Sequence, residues 1–297
     1  MPTIFFGGGT PSLMPVGTFE KIINNIAKNF HIQPACEITL ESNPGTIDDE
    51  KLAAFIAAGV NRLSVGVQSF DDARLKWLGR RHTARDAMRL VDGAMRRGIR
   101  VSGDFIYGLP GDTVADVVDT CRRINETGLQ HCSMYELTIE PGTPLALARP
   151  EMPSNETMAE MYTAIAQNLH LPRYEVSNYA APGQECRHNQ NVWDGEPYIG
   201  LGQGAAGRVF MAGEWYEQMG ANARCTKITS DMRAAEKVIT GMRTMRGVRL
   251  TPDVVAAIDM RYVDSHPELI THTATARIAA TDGGILILDE MLIKLVK

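Results

Sequence analysis

The chain lacks the marks of a disulfide-stapled, membrane-spanning or nucleic-acid-binding protein. Its five cysteines are an odd number, and none stands in a Cys-x-x-Cys pair. That pattern argues against a disulfide scaffold and a local metal or thiol-redox motif, and it sets the expectation of a reducing, cytoplasmic setting. No apolar run is long enough to cross a bilayer, and no signal-peptide pattern opens the chain. Neither sign of charge dominates: 30 Lys+Arg against 35 Asp+Glu leave a net charge of −5, so no nucleic-acid partner or anionic membrane surface is indicated. Repeats and low-complexity tracts are missing too. What remains is 297 residues, 44% hydrophobic and 22% charged, enough for one large globular core or two modest ones.

Within that length a rhythm runs to about residue 140. Ile4 to Phe6 reads as a strand emptying into Gly7-Gly8-Gly9, and Phe19, Ile22, Ile23 and Ile26 recur at helical spacing behind a candidate N-cap, Thr18. Ile38 to Leu40 is strand. Thr46 with Asp49 signals a helix start and Gly59 its end; Arg62 to Val67 is strand, and Thr83 with Asp86 opens a helix closed by Gly98. Val101 to Tyr107 and His131 to Leu137 bracket a helix over Val114 to Ile124. Strand, helix, glycine, strand implies parallel strands with helical crossovers, in either a barrel or a doubly wound sheet. The polar and glycine residues gather after the strands, where a barrel has one shared rim and a doubly wound sheet one switch point. Beyond residue 145 the rhythm changes: a long helix over Ser154 to Leu171, a short strand at Tyr174 to Val176, a glycine-rich and aromatic stretch from Ala180 to Gly207, and helix from Ser230 to the end, closing with Gly284 to Lys297. The expected division is a first domain over 1–209 and a helical one over 210–297.

Several rim residues carry chemistry. Three consecutive glycines let a backbone approach a ligand and aim N–H groups at it, or simply make a tight turn. Thr10 can cap the next segment or bind a ligand. Glu41 can accept from an ammonium or a diol, or be a solvated strand end. Gln68 donates and accepts. Arg80 can clamp a carboxylate or be solvated. Asp104 stands inside an apolar strand, so its carboxylate must be paired or bound.

Together the stretches FFGGGTPS (5–12), ESNPGT (41–46), GVNRLSVGVQSF (59–70), LGRRH (78–82), DFIYGLPGDT (104–113), YELTIEPGTPLA (135–146), YEVSNYA (174–180), CRHNQNVW (186–193) and YIGLGQGA (198–205) resemble the HemW/HemN group of radical S-adenosylmethionine proteins, which includes oxygen-independent coproporphyrinogen III oxidases and haem chaperones. The resemblance implies an α/β fold, an incomplete (β/α)6 barrel followed by a C-terminal helical, winged-helix-like domain. It also implies a site for S-adenosylmethionine in which Gly8, Gly9 and Thr10 hold the methionine end, joined by Glu41, Gln68, Arg80 and Asp104. A zwitterion with a ribose needs a carboxylate clamp, which is assigned to Arg80; ammonium and ribose remain undivided between Glu41 and Asp104.

Two departures shape the functional expectation. The family's Cys-x3-Cys-x2-Cys loop, which holds a [4Fe–4S] cluster, belongs before the FFGGGTPS strand, where only Met1-Pro2 stand. The resemblance therefore implies a chain lacking the first strand, the cluster loop and the first helix, with no metal ligands of its own and no radical chemistry. Cys186 matches a family position and reads as a small buried thiol. Second, the segment associated with haem has His188 but Val192 in place of tyrosine, and the family's GAGAHS is Gly202 to Gly207 without its histidine. His188 is a haem axial ligand or a histidine bonded within its loop. The expected function is that of a HemW/HemN-like protein of porphyrin and haem metabolism resembling an oxidoreductase; the alternative is a haem-binding chaperone or carrier without radical activity.

Overall fold

The computed structural model describes residues 1–297, which divide into two compact units: Met1–Arg173 with Ser177–Glu185, and Tyr174–Val176 with Cys186–Lys297. The division comes earlier than the expected 209/210, which falls inside a strand, Ala206–Met211.

The first unit runs β1 (Thr3–Phe6), α1 (Val16–Asn29), β2 (Glu37–Ser42), α2 (Asp49–Ala57), β3 (Arg62–Gln68), α3 (Asp72–Trp77), α4 (Ala84–Arg96), β4 (Arg100–Tyr107), α5 (Val114–Thr127), β5 (His131–Glu136), α6 (Pro144–Ala148), α7 (Asn155–Asn168) and β6 (Asn178–Ala180). The six strands lie in sequence order; β1 to β5 are parallel and β6 returns antiparallel to β5. Sequential order decides between the two topologies left open by the sequence, because a doubly wound sheet reverses its order at a switch point and this one does not. The fold is an α/β partial barrel.

Strand alternation explains what each face does. Leu40, Leu63, Val65, Val67 and Phe105 are fully buried in the core shared with the helices, where Phe19 meets Phe55 edge-on at 5.4 Å. The intervening residues Arg62 and Ser64 on β3, Ser102 and Asp104 on β4, and His131 and Ser133 on β5 make the opposite face polar. In register Ser64 stands beside Ser102, and Asp104 beside Ser133. A buried polar face is costly unless its groups are partnered, so this face belongs to a network or a ligand.

Helix starts follow local chemistry. Thr83–Asp86 and Thr113–Asp116 form complete capping boxes, and Gly128 ends α5 in the left-handed region at φ 75°. Elsewhere the signals mislead. Thr46 does not cap α2, because its hydroxyl donates to Asn43 O at 2.6 Å and contacts Ser12 Oγ at 2.6 Å; Asp48 caps instead, accepting from Lys51 N. α1 begins at Val16, ahead of Thr18. The strand expected at Tyr174 to Val176 is reduced to a single bridge from Glu175 to Thr244.

The second unit comprises α8 (Arg187–Trp193), a meander of β7 (Ala206–Met211), β8 (Glu214–Met219) and β9 (Arg224–Ile228), then α9 (Ser230–Gly241), β10 (Val248–Arg249), α10 (Pro252–Ala257), α11 (Met260–Ser265), β11 (Ile270–Thr273), β12 (Arg277–Ala280), α12 (Asp282–Leu286) and α13 (Leu288–Leu295). Its helices and the sheet β10-β12-β11 enclose a core of Val238, Met242, Ile258, Ile278, Met291 and Leu295. The C-terminal helical pattern is two helices broken at Ile287, and residues 206–228, to which the sequence reading assigned no elements, are the meander.

Candidate functional site

The C-terminal ends of β2 to β5 surround a cavity of about 460 Å³, the rim where a parallel barrel places its ligands. Gly9, Glu41, Gln68, Arg80 and Asp104 all line it. Gly8 and Thr10 stand one step back: Gly8 N donates to Glu41 Oε2 at 3.1 Å, and Thr10 Oγ1 accepts from Asn43 Nδ2 at 3.3 Å. The glycine loop is thus tied to the loop after β2, a tie completed by Lys51 Nζ donating to Ser12 O at 2.6 Å. Gly8 and Gly9 have φ of 80° and 59°, and a Cβ on either would meet nothing. Glycine is required there by backbone conformation, not by crowding. His188 stands half-buried in the first turn of α8, in the second unit.

Gln68 is held by a bulge. The register of β3 against β4 slips between Gly66 and Gln68, and Gln68 sits at φ 68°, in the region that favours glycine. Bulges at barrel rims re-aim side chains, and the strain they carry is a mark of function. Gly66 permits the result, since a Cβ there would lie 2.7 Å from Gln68 Nε2 and 3.0 Å from Asn43 Oδ1.

Arg80 arrives by a different device. α3 ends in a left-handed Gly79 at φ 70°, and Arg80 N returns to Leu75 O at 2.9 Å, turning the chain back toward the rim. Its Nε is buried without a hydrogen-bond partner, and burial pulls the guanidinium's pKa down. A buried donor with no acceptor is costly, and in this position it can take an acceptor placed in the cavity.

Opposite charge dominates the rest of the cavity. Burial raises the pKa of Glu41, against the lowering effect of the Gly8 N–H, and burial also raises that of Glu136. Asp104 is pushed up to about 6, first by desolvation and least by the charge of Glu41, while hydroxyls of Ser64, Ser102 and Ser133 oppose the rise. Ser64 Oγ donates to Asp104 Oδ2 at 2.7 Å and Ser102 Oγ to Oδ1 at 3.1 Å. Sequence reasoning missed Asn43, Ser64 and Glu136, which line the same cavity, and Ser102 and His131 behind it. The available signal was polar alternation within strands otherwise apolar.

Three carboxylates and one guanidinium suit a zwitterion with excess positive charge. The radical S-adenosylmethionine superfamily model matches residues 2–124. The haem chaperone HemW of Haemophilus influenzae is 37% identical over 217 residues, covering 71% of this chain and 57% of that protein. The chain is a HemW/HemN-like radical S-adenosylmethionine protein. HemW of Escherichia coli is 37% identical over 211 residues, 70% of this chain and 56% of that one. The mitochondrial radical S-adenosyl methionine domain-containing protein 1 of Bos taurus is 37% identical over 257 residues, 84% and 58%. The chain thus spans less than three-fifths of the length of these curated relatives. Among solved structures, coproporphyrinogen III oxidase (HemN) of Escherichia coli, described as a radical SAM enzyme, superposes with a TM-score of 0.77 at 20% identity, covering 98% of this chain and 77% of that one. At that identity the likeness establishes the fold alone.

The superfamily works with S-adenosylmethionine and a [4Fe–4S] cluster. Within residues 1–297, no three His, Cys, Asp or Glu side chains form a group that could hold a metal ion, and four of the five free cysteines are buried. The thiols of this HemW/HemN-like chain do not fit a cluster. No helix is long and apolar enough to cross a membrane.

Proposed function

We propose that the cavity binds S-adenosylmethionine through Gly8, Gly9, Thr10, Glu41, Gln68, Arg80 and Asp104. The unpartnered buried Nε of Arg80 carries the reading: it needs an anionic acceptor in a cavity otherwise lined by carboxylates. A ligand offering one carboxylate to Arg80 and positive groups to Glu41, Asp104 and Glu136 fits that pattern, as S-adenosylmethionine does with its carboxylate, ammonium and sulfonium. The left-handed glycines let the backbone approach the amino-acid end, and Asp104 offers an acceptor to a diol or an ammonium. Bound there, S-adenosylmethionine supplies the sulfonium chemistry of the superfamily; the residues here bind and orient it.

Calorimetry with S-adenosylmethionine and S-adenosylhomocysteine tests this. Held by the residues of this chain alone, the ligand makes a few charge-assisted bonds and binds weakly, with a Kd on the order of 0.1–1 mM. The sulfonium ligand binds more tightly than the neutral thioether, and Arg80→Met removes binding of both. Equal affinities, or binding unaffected by Arg80→Met, would refute the reading.

A second reading is carried by the relatives named haem chaperones: His188 on α8 ligates haem, and the chain acts in porphyrin or haem metabolism. Titration with haemin then yields a Soret band that His188→Ala abolishes; a band unchanged in that variant counts against it. The five free thiols support the cytoplasm, or another reducing compartment, as the place of action.

A further inference from the structure

Behind the cavity floor a short hydrogen-bonded line leads away from Asp104. Asp104 Oδ1 lies 3.1 Å from Ser102 Oγ, and Ser102 Oγ lies 2.7 Å from His131 Nδ1. Ser102 and His131 are buried and line no part of the cavity. A serine hydroxyl has one proton, so Ser102 donates either to Asp104 or to His131, never to both. If Asp104 is ionised it can only accept, so its 3.1 Å contact with Ser102 is a hydrogen bond only when Ser102 turns toward it and Nδ1 of His131 carries the proton that Ser102 Oγ accepts. If Asp104 is protonated, Ser102 is free to reverse and donate to Nδ1.

We propose that Ser102 and His131 are positioning residues for the cavity: His131 keeps its proton on Nδ1, turns the Ser102 hydroxyl toward Asp104, and so holds Asp104 as a carboxylate ready to accept from a bound ligand. For the identity of that ligand the proposal rests on the S-adenosylmethionine reading; the line itself does not. The surroundings limit His131 to its neutral tautomers. Burial acts first, and the guanidinium groups of Arg62 on β3 and Arg100 on β4 both disfavour a second proton on the ring. Arg100 is itself paired with the fully buried Glu37 of β2 at 3.1 Å, and Arg62 donates to Gln184 O at 3.0 Å. Around Asp104 the facing groups are Ser64 on β3, Ser133 on β5 and Glu41 on β2, with the Cys132 thiol buried on the other face of β5. Glu41 opposes ionisation of Asp104 and the hydroxyls of Ser64 and Ser102 favour it, that of Ser133 donating to Asn178 Oδ1 at 2.9 Å, so turning one hydroxyl away changes the balance.

The test is nuclear magnetic resonance on the full chain without ligand. Imidazole ¹⁵N shifts at pH 7.5 read the tautomer of His131 directly in the unaltered protein, and the ¹³Cγ shift of Asp104 followed from pH 4 to 8 reads its titration. The proposal expects a protonated Nδ1. It also expects the Asp104 midpoint to rise by about half to one pH unit, a three- to tenfold gain in proton affinity, in Ser102→Ala and His131→Leu. His131→Asn, whose amide can place an N–H near the position of Nδ1, keeps the midpoint of the parent. A proton on Nε2 alone at pH 7.5, or one midpoint shared by all variants, overturns the proposal; should His131→Leu fail to fold, the tautomer in the unaltered chain decides. Adding S-adenosylmethionine at pH 7.5 separates the two readings: absence of binding with the line intact removes the ligand assignment and leaves the positioning role standing.

Discussion

Asp104 combines a proposed binding role with a cost in stability. Its carboxyl titrates at about 6 in the folded chain against 3.8 as the ordinary value, so the folded state holds the proton more tightly than the unfolded one. Stability therefore falls as pH rises from about 4 to about 6, and the deficit persists above. Asp104→Asn removes it: the variant is expected to be more stable than the parent at pH 7.5 by up to about 3 kcal/mol, with the gain gone at pH 4, and to lose ligand binding. Urea denaturation at the two pH values measures this, and a gain of equal size at both would show that charge is not the cause. The functional character of Asp104 was legible, because a carboxylate inside an apolar strand demands a partner. Its network was not: Ser102 shares a face of β4 with it, but Ser64 and, behind Ser102, His131 stand on neighbouring strands that only register brings alongside.

At the scale of elements, local devices aim the site. The bulge in β3 directs Gln68, and Gly66 leaves room for its amide. In Gly66→Ala the obstructing atom is the far end of a flexible side chain, so the fold yields cheaply, by less than about 1 kcal/mol. The Gln68 amide is displaced from the cavity and ligand affinity drops. A melting temperature lowered by many degrees with affinity unchanged would reverse that account. Thr113→Ala, by contrast, removes a complete capping box whose two residues do not line that cavity; it should cost about 1 kcal/mol and leave binding alone, as denaturation and calorimetry will show. Capping boxes such as Thr113–Asp116 and terminal glycines such as Gly128 were readable because their geometry is set by neighbours in sequence. The cap of α2 was misread, since the hydroxyl of Thr46 is engaged by Asn43 and Ser12. The bulge was unreadable: nothing in VGVQS announces a register slip that exists only against β4.

Across the whole molecule, sequential strand order turns scattered rim residues into one cavity. The first unit buries its apolar strand face under helices and lines the other face with Arg62, Ser64, Ser102, Asp104, His131 and Ser133. Burial at that polar face and its rim raises the pKa of three carboxylates that share the cavity with one guanidinium, as the proposed ligand site requires. The barrel rhythm to residue 140 was plain in the sequence. The stretch from residue 210 on was read as helical: β10, β11 and β12 are only two to four residues long, and β10 finds its partner β12 beyond two helices and β11, a pairing no local signal announces. The central claim is that Arg80 awaits the carboxylate of S-adenosylmethionine, and the side-chain Nε–H resonance of Arg80 in the ¹⁵N-labelled chain tests it most directly. Titration with S-adenosylmethionine should move that resonance saturably, with free methionine amide, which lacks the carboxylate, leaving it in place. An Arg80 Nε–H signal that stays fixed while S-adenosylmethionine binds elsewhere, or that moves equally with methionine amide, would contradict the account.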